Sequence, residues 1–138
     1  MRREVWEKVG GLCEEREIIG VEDYEFWLRV IKAGFRVHIL KEPLMLYRLN
    51  PEGLSAKEEK ISLALLRVFA LAEKLGLSDK EKKILSQRRK ALFFHLASLA
   101  LKKGNQKRAK EWLKKAQKEG ASPLRVWLWL IWQKFSGK

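Results

Sequence analysis

The spacing of apolar residues predicts two helices at the start of the chain. Residues 2–9 predict a short helix that Gly10-Gly11 ends. Residues 21–33 predict a second helix, because apolar side chains recur there at the spacing of one helical face: Tyr24, Trp27, Leu28 and Ile31. Gly34 stands where a left-handed cap is expected, so it ends this helix.

A change to alternating apolar positions then predicts two short strands. Phe35, Val37 and Ile39 alternate with polar residues, and Pro43 breaks the pattern before a second apolar run at 44–47. Residues 50–53, Asn-Pro-Glu-Gly, have the composition of a loop. Residues 1–55 therefore predict a short α/β segment with two strands.

Residues 56–138 predict a helical tail of about four helices. Their expected ranges are 56–75, 78–103, 106–119 and a last helix opened by Ser122-Pro123, with Ser55 and Ser78 as caps and with Gly76, Gly104 and Gly120 as stops. The third of these places Ala109, Trp112, Leu113 and Ala116 on one face. The expected fold is mainly α, divided into 1–55 and 56–138.

The last helix is apolar on every side and holds three tryptophans, Trp127, Trp129 and Trp132. Such a helix is either packed in a bundle or seated in another apolar environment. It is too short to span a bilayer, but tryptophan flanked by lysine and arginine suits a membrane interface. Both interpretations stay open.

Positive charge is concentrated in the tail. Residues 1–55 carry nine basic and ten acidic side chains, whereas residues 56–138 carry 21 basic and seven acidic ones. The basic helices can contact anionic lipid or nucleic acid, or simply form a solvated surface of the kind common in thermophiles. No motif with a defined way of docking on nucleic acid is present, so nucleic acid is the least favoured partner.

Composition limits the chemistry further. A single cysteine, Cys13, excludes an internal disulfide and a cysteine-cluster zinc site, and the presence of two histidines disfavours a histidine-rich metal site. The N-terminus has no secretory signal and no apolar run is long enough to span a bilayer. The expected location is the cytoplasm, with peripheral contact at the inner face of the membrane as an extension of that expectation.

Glu22-Asp23 is an acidic pair at the start of the second predicted helix. Free amide groups and the helix dipole favour negative charge there, so these side chains can serve as caps alone. The same position also holds two carboxylates at a fixed place, which suits them to a site.

Several motifs in order resemble the family-2 glycosyltransferases. They lie within residues 1–55: Arg2-Arg3 to Gly10-Gly11-Leu12; Glu22-Asp23-Tyr24-Glu25-Phe26-Trp27-Leu28-Arg29; Lys32-Ala33-Gly34-Phe35-Arg36-Val37; Glu42-Pro43-Leu44; and Tyr47-Arg48-Leu49-Asn50-Pro51-Glu52-Gly53-Leu54-Ser55. Their order and spacing are similar to the acceptor side of that family's GT-A catalytic domain.

The resemblance implies a role for each matching residue. Asp23 would be the general base that takes the proton of the acceptor hydroxyl, and Glu22 would orient the acceptor. Trp27 and Arg29 would contribute to substrate binding, although Trp27 can instead pack beneath the site. Gly10 and Gly11 would let the backbone approach the substrate closely, although a helix stop explains them equally well.

The end of the resembling segment departs from the family at one position. Tyr47 and Arg48 would line the site or contact a diphosphate, or fill a structural place at a strand edge. Asn50 stands where many relatives have a histidine that resembles a metal ligand; its amide oxygen is a weaker substitute, so no metal ligand is assigned.

The donor-binding half of the family is missing from the sequence. The chain has two aspartates, Asp23 and Asp79, and therefore no Asp-x-Asp motif; it also has no glycine-rich phosphate loop. The resemblance implies a nucleotide sugar and a divalent cation, Mg²⁺ or Mn²⁺, only for a complete enzyme. The expected function is the base-bearing, acceptor-side part of a hexosyl-transferring glycosyltransferase, partnered by a donor-binding half or by a second copy of itself. The alternative is a non-catalytic helical adaptor that docks on a protein or membrane through its basic face and last helix.

Overall fold

The computed structural model describes residues 2–46, 53 and 57–136 and divides the chain into two compact units, Met1–Leu77 and Ser78–Lys138. The first unit contains α1 (Arg3–Val9), a 3₁₀ turn (Arg16–Ile18), α2 (Glu22–Lys32) and α3 (Glu58–Glu73). The second contains α4 (Asp79–Lys102), α5 (Gln106–Lys118) and α6 (Pro123–Ser136). The predicted boundary at residue 55 lies outside the described residues.

The first unit has two small apolar cores. One joins Val5 of α1 to Phe26 and Val30 of α2. The other joins Ile18 and Val21, on either side of the turn into α2, to the buried face of α3 at Ala64 and Val68. Because α2 contributes to the first core and Leu28 packs against the second, this helix is held from two directions.

This double packing corrects the predicted apolar face of α2. The predicted stripe leaves Tyr24, Trp27 and Ile31 exposed, while the buried residues of the helix are Glu25, Phe26 and Val30. The spacing rule assumes one apolar face turned to one core. Here α1 and α3 contact different sides of the helix, so its deepest side chains fall outside the stripe.

The two predicted strands are wrong. The described part of the chain is helical and irregular without strand, and residues 35–46 run as irregular backbone. The second predicted strand ends at Tyr47, outside the described residues. An alternating pattern forms a strand only where a neighbouring strand can pair with it, and isolated strand pairs are marginal in water. Ile39 is 81% exposed and Leu46 is fully exposed, so the apolar positions of this segment cover no core.

The second unit is a helical hairpin with a further helix packed on it. Ser78 begins α4 with a capping box, in which its hydroxyl accepts from the Glu81 amide and the Glu81 carboxylate accepts from the Ser78 amide. All four residues of the predicted α5 face are buried, and the Trp112 ring stacks on Phe93 of α4 at 5.9 Å. Arg89 of α4 forms an ion pair with Glu119 at 3.1 Å, after the end of α5.

Helices α4 and α5 begin and end close to the predicted positions, whereas the first tail helix, predicted over 56–75, spans Glu58–Glu73 with Lys57 as an N-cap that makes no side-chain bond. Ser122 Oγ accepts from the Arg125 amide at 3.2 Å at the start of α6, and Gly120 has the positive φ of 87° that a left-handed helix stop requires. Ser55, the predicted cap of the first tail helix, lies outside the described residues. None of the described helices is both long enough and apolar enough to cross a membrane.

Candidate acceptor-side site at the start of α2

The backbone before α2 places Glu22 and Asp23 in the first helical turn. Val21 is the N-cap residue and provides no side-chain cap for the helix. Instead Glu22 folds back, and its Oε2 accepts from the Gly20 amide at 2.5 Å. The amides of Glu22 itself and Gly20 lower the pKa of the Glu22 carboxyl below its ordinary value of 4.5. Glu22 is therefore an anion fixed to the backbone at neutral pH.

Asp23 is exposed beside it and is held more loosely. Its Oδ1 accepts from the Tyr24 amide at 2.7 Å, while Oδ2 has no hydrogen-bond partner in the described part of the chain. One oxygen thus fixes the carboxylate on the helix and the other faces solvent. A carboxylate held in this way can accept a proton from a hydroxyl that approaches the helix start.

Arg29 connects α2 to the end of α1. Its guanidinium donates to the Glu25 carboxylate through Nε and Nη2, both at 2.8 Å. The same group donates to the backbone carbonyls of Val9 through Nη1 and of Gly11 through Nη2, at 2.5 and 2.7 Å. These four bonds direct Arg29 toward the protein, and they fix the Gly10-Gly11 turn against α2.

Gly10 and Gly11 fit the backbone conformation and the close packing of this turn. Gly10 ends α1 at φ 82°, a left-handed conformation that favours glycine, and its amide donates to Trp6 O at 2.8 Å. A Cβ on Gly11 would lie 3.2 Å from the Trp6 ring. Gly11 therefore allows the turn to pass close to Trp6, and its carbonyl accepts the bond from Arg29.

Trp27 lies one helical turn after Asp23, on the same side of α2. Its ring meets Phe26 edge-on at 5.6 Å and is about two-fifths exposed. It borders a half-open cleft of about 480 Å³ between α1, α2 and the following irregular segment. The cleft is lined by Arg2, Glu4, Val5, Trp27, Val30, Gly34, Phe35, Arg36, Val37 and His38.

The structure thus places Glu22, Asp23 and Trp27 on α2, while Arg29 joins the same helix to the Gly10-Gly11 turn at the end of α1. Tyr47, Arg48 and Asn50 lie outside the described residues. Arg36 and His38, which the sequence does not assign to the site, line the cleft because residues 35–38 leave α2 as irregular backbone; Glu22 and Asp23 are not among the residues that line it. The alternation of apolar and polar residues in this segment predicts a strand and gives no indication of a cleft.

The described residues bring no three His, Cys, Asp or Glu side chains together as a metal site. No protein-family model, no curated protein and no solved structure matches this chain.

Proposed function

We propose that this chain is the acceptor-side, base-bearing part of a nucleotide-sugar-dependent glycosyltransferase that resembles family 2. The observation that carries the proposal is the first turn of α2, where Asp23 presents an exposed carboxylate oxygen beside the backbone-fixed Glu22. The ordered motifs of residues 1–55 support the same assignment, because each falls at the family's expected place relative to this pair.

Each residue has a distinct task in the proposed reaction. Asp23 Oδ2 accepts the proton of an acceptor hydroxyl as that oxygen bonds to the anomeric carbon of the donor sugar, and the bond from that carbon to the nucleoside diphosphate breaks. Glu22 accepts a hydrogen bond from a second hydroxyl of the acceptor and thereby orients it. Trp27 offers an aromatic surface one turn away, suited to the apolar face of a sugar ring.

Arg29 acts through position in this proposal. Its bonds to Val9, Gly11 and Glu25 hold the end of α1 against α2. The nucleotide sugar and its Mg²⁺ or Mn²⁺ ion would be bound by a donor half outside these 138 residues.

Reconstitution tests the proposal. The donor-binding half of a family-2 glycosyltransferase is fused ahead of Met1 or supplied separately, and radiolabelled UDP-glucose, UDP-N-acetylglucosamine and GDP-mannose are offered with a panel of sugar acceptors. We expect transfer only when both parts are present. A donor half that binds its nucleotide sugar but never transfers it when this chain is added would contradict the proposal.

A binding measurement on the chain alone tests whether it binds a nucleotide sugar without a donor-binding half. We expect calorimetry to detect no metal-dependent binding of UDP-glucose or GDP-mannose, because the chain has no Asp-x-Asp motif. Micromolar, metal-dependent binding would show that the chain holds a donor site of its own.

A further inference from the structure

The second unit combines an exposed apolar stripe with all of the protein's excess positive charge. Its 17 basic and four acidic side chains give a net charge of +13, whereas the first unit has 13 of each. The whole positive excess therefore belongs to the unit that contains α6. We propose that this unit docks on an anionic lipid surface, with one face of α6 in the interface and the lysines of α5 over the headgroups.

The buried side of α6 is fixed by its contacts. Val126 is buried, and the Trp129 ring lies 5.5 Å from Phe94 of α4. Arg125 extends over the same Phe94 ring at 5.9 Å. These contacts turn one side of α6 toward the hairpin.

The opposite side of α6 is apolar and exposed. Leu124, Trp127 and Leu128 are 64%, 57% and 52% exposed, and Ile131 follows at the next position of the same helical face. Nothing in the described part of the chain covers this stripe. A helix with one apolar face outward, tryptophan in it and basic residues around it has the composition of an interfacial helix.

The positive charge of this unit favours lipid over a neutral apolar partner. α5 packs against α6 in the same unit and exposes six basic side chains: Lys107, Arg108, Lys110, Lys114, Lys115 and Lys118. Anionic headgroups attract such a cluster, and acyl chains accept the leucine and tryptophan side chains. Nucleic acid would use the lysines and leave the stripe exposed, so the stripe decides between the two partners.

Vesicle flotation of the full chain tests the proposal. Vesicles of phosphatidylcholine alone are compared with vesicles in which one third of the lipid is phosphatidylglycerol. We expect flotation with the anionic vesicles, little with the neutral ones, and a marked loss between about 0.1 and about 1 M salt. Absence of binding to anionic vesicles at low salt would overturn the proposal.

Paired variants separate the stripe from the charge. Leu124→Ser with Leu128→Ser should weaken partitioning at least about tenfold, because two leucines leave the interface. Leu44→Ser with Leu46→Ser removes two leucines of equal or greater exposure from the first unit and should change nothing. Lys110→Gln with Lys114→Gln should weaken binding by about fivefold per charge, whereas Lys41→Gln with Lys60→Gln should not.

Two further results would overturn the proposal. If flotation of the Leu124→Ser, Leu128→Ser variant equals that of wild type while a short single-stranded RNA binds through the lysines, the surface serves nucleic acid. If sedimentation shows a dimer that only the stripe variant breaks, and wild type does not float, the stripe is an interface between two copies. Circular dichroism of each variant confirms that its helices are retained.

Discussion

At the scale of single residues, Arg29 forms a salt bridge and also donates hydrogen bonds to two backbone carbonyls. The Arg29 and Glu25 side chains are only 20% and 9% exposed, so the pair is largely withdrawn from water, and two of the guanidinium donors also satisfy backbone carbonyls. Removing the guanidinium would leave the largely buried Glu25 carboxylate and the two backbone carbonyls without these hydrogen bonds. The resemblance to family-2 glycosyltransferases implied a substrate contact for Arg29. Sequence spacing does not reveal which acceptors its guanidinium binds.

We expect Arg29→Met to lower the free energy of unfolding of the first unit by about 2–3 kcal/mol, because it strands a mostly buried carboxylate. The matched control is Arg3→Met, which removes another i,i+4 pair, to Glu7, whose side chains are 91% and 62% exposed. That change should cost less than about 0.5 kcal/mol. Urea unfolding followed by circular dichroism measures the free energy of unfolding of both variants. Equal losses would show that the bonds of Arg29 contribute no more than an exposed ion pair.

Glu22 gives a pH-dependent prediction. Backbone amides lower its pKa in the folded chain below 4.5, so the carboxylate stabilises the fold above that pH and this contribution is lost as pH falls through the lowered pKa. Wild type should exceed Glu22→Gln in stability by a constant margin near neutral pH, and the margin should shrink below about pH 4.5. Urea unfolding of both proteins across this pH range measures the difference in stability. A difference that grows on acidification would contradict the hydrogen bonds from backbone amides to Glu22.

At the scale of elements, caps and stops were predictable because they depend on a few neighbouring residues. Ser78, Ser122 and Gly120 mark helix ends in the sequence and in the structure. The face of α5 was also predictable, since one contiguous set of apolar residues meets one partner helix. The failures were the strands at 35–47 and the face of α2, both of which depend on what lies opposite in space.

The capping box of α4 can be tested directly. Ser78→Ala should reduce the free energy of unfolding of the second unit by about 1 kcal/mol, because the Glu81 amide loses its acceptor. Ser78→Thr retains a hydroxyl and should stay close to wild type. Thermal or urea unfolding distinguishes them, and an alanine variant as stable as the threonine variant would show that the cap is dispensable.

At the scale of the whole molecule, charge and chemistry are divided between the two units. The first unit is electrically neutral and holds Glu22 and Asp23, and the second carries the net charge of +13. The sequence places the basic excess after residue 55, whereas residues 56–77 carry only four basic and three acidic side chains and belong to the first unit. It did not indicate that α3 packs with the 3₁₀ turn and so belongs to the first unit, where Arg67 forms ion pairs with Glu15 and Glu17 at 2.8 and 3.0 Å.

Those ion pairs join segments about fifty residues apart in the chain. Their charges and hydrogen bonds, chiefly those of Glu15, raise the pKa of the Arg67 guanidinium. Nothing in the local sequence around Arg67 marks it as a partner of the turn, because long-range pairing depends on how the helices pack. The pair of carboxylates was predictable from the sequence; the hydrogen bonds of Arg29 and the cleft beside Trp27 were not.

We propose Asp23 as the general base, and the chain offers a matched control in its other aspartate. Asp79 is also exposed in the first turn of a helix, where it pairs only with Lys82 at 3.4 Å among the contacts described for it. The most direct measurement is the turnover of the reconstituted enzyme with Asp23→Asn and with Asp79→Asn. We expect a loss of about 10²–10⁴-fold for Asp23→Asn with donor binding unchanged, and no loss for Asp79→Asn. A loss below about tenfold for Asp23→Asn, or equal losses for the two variants, would contradict it.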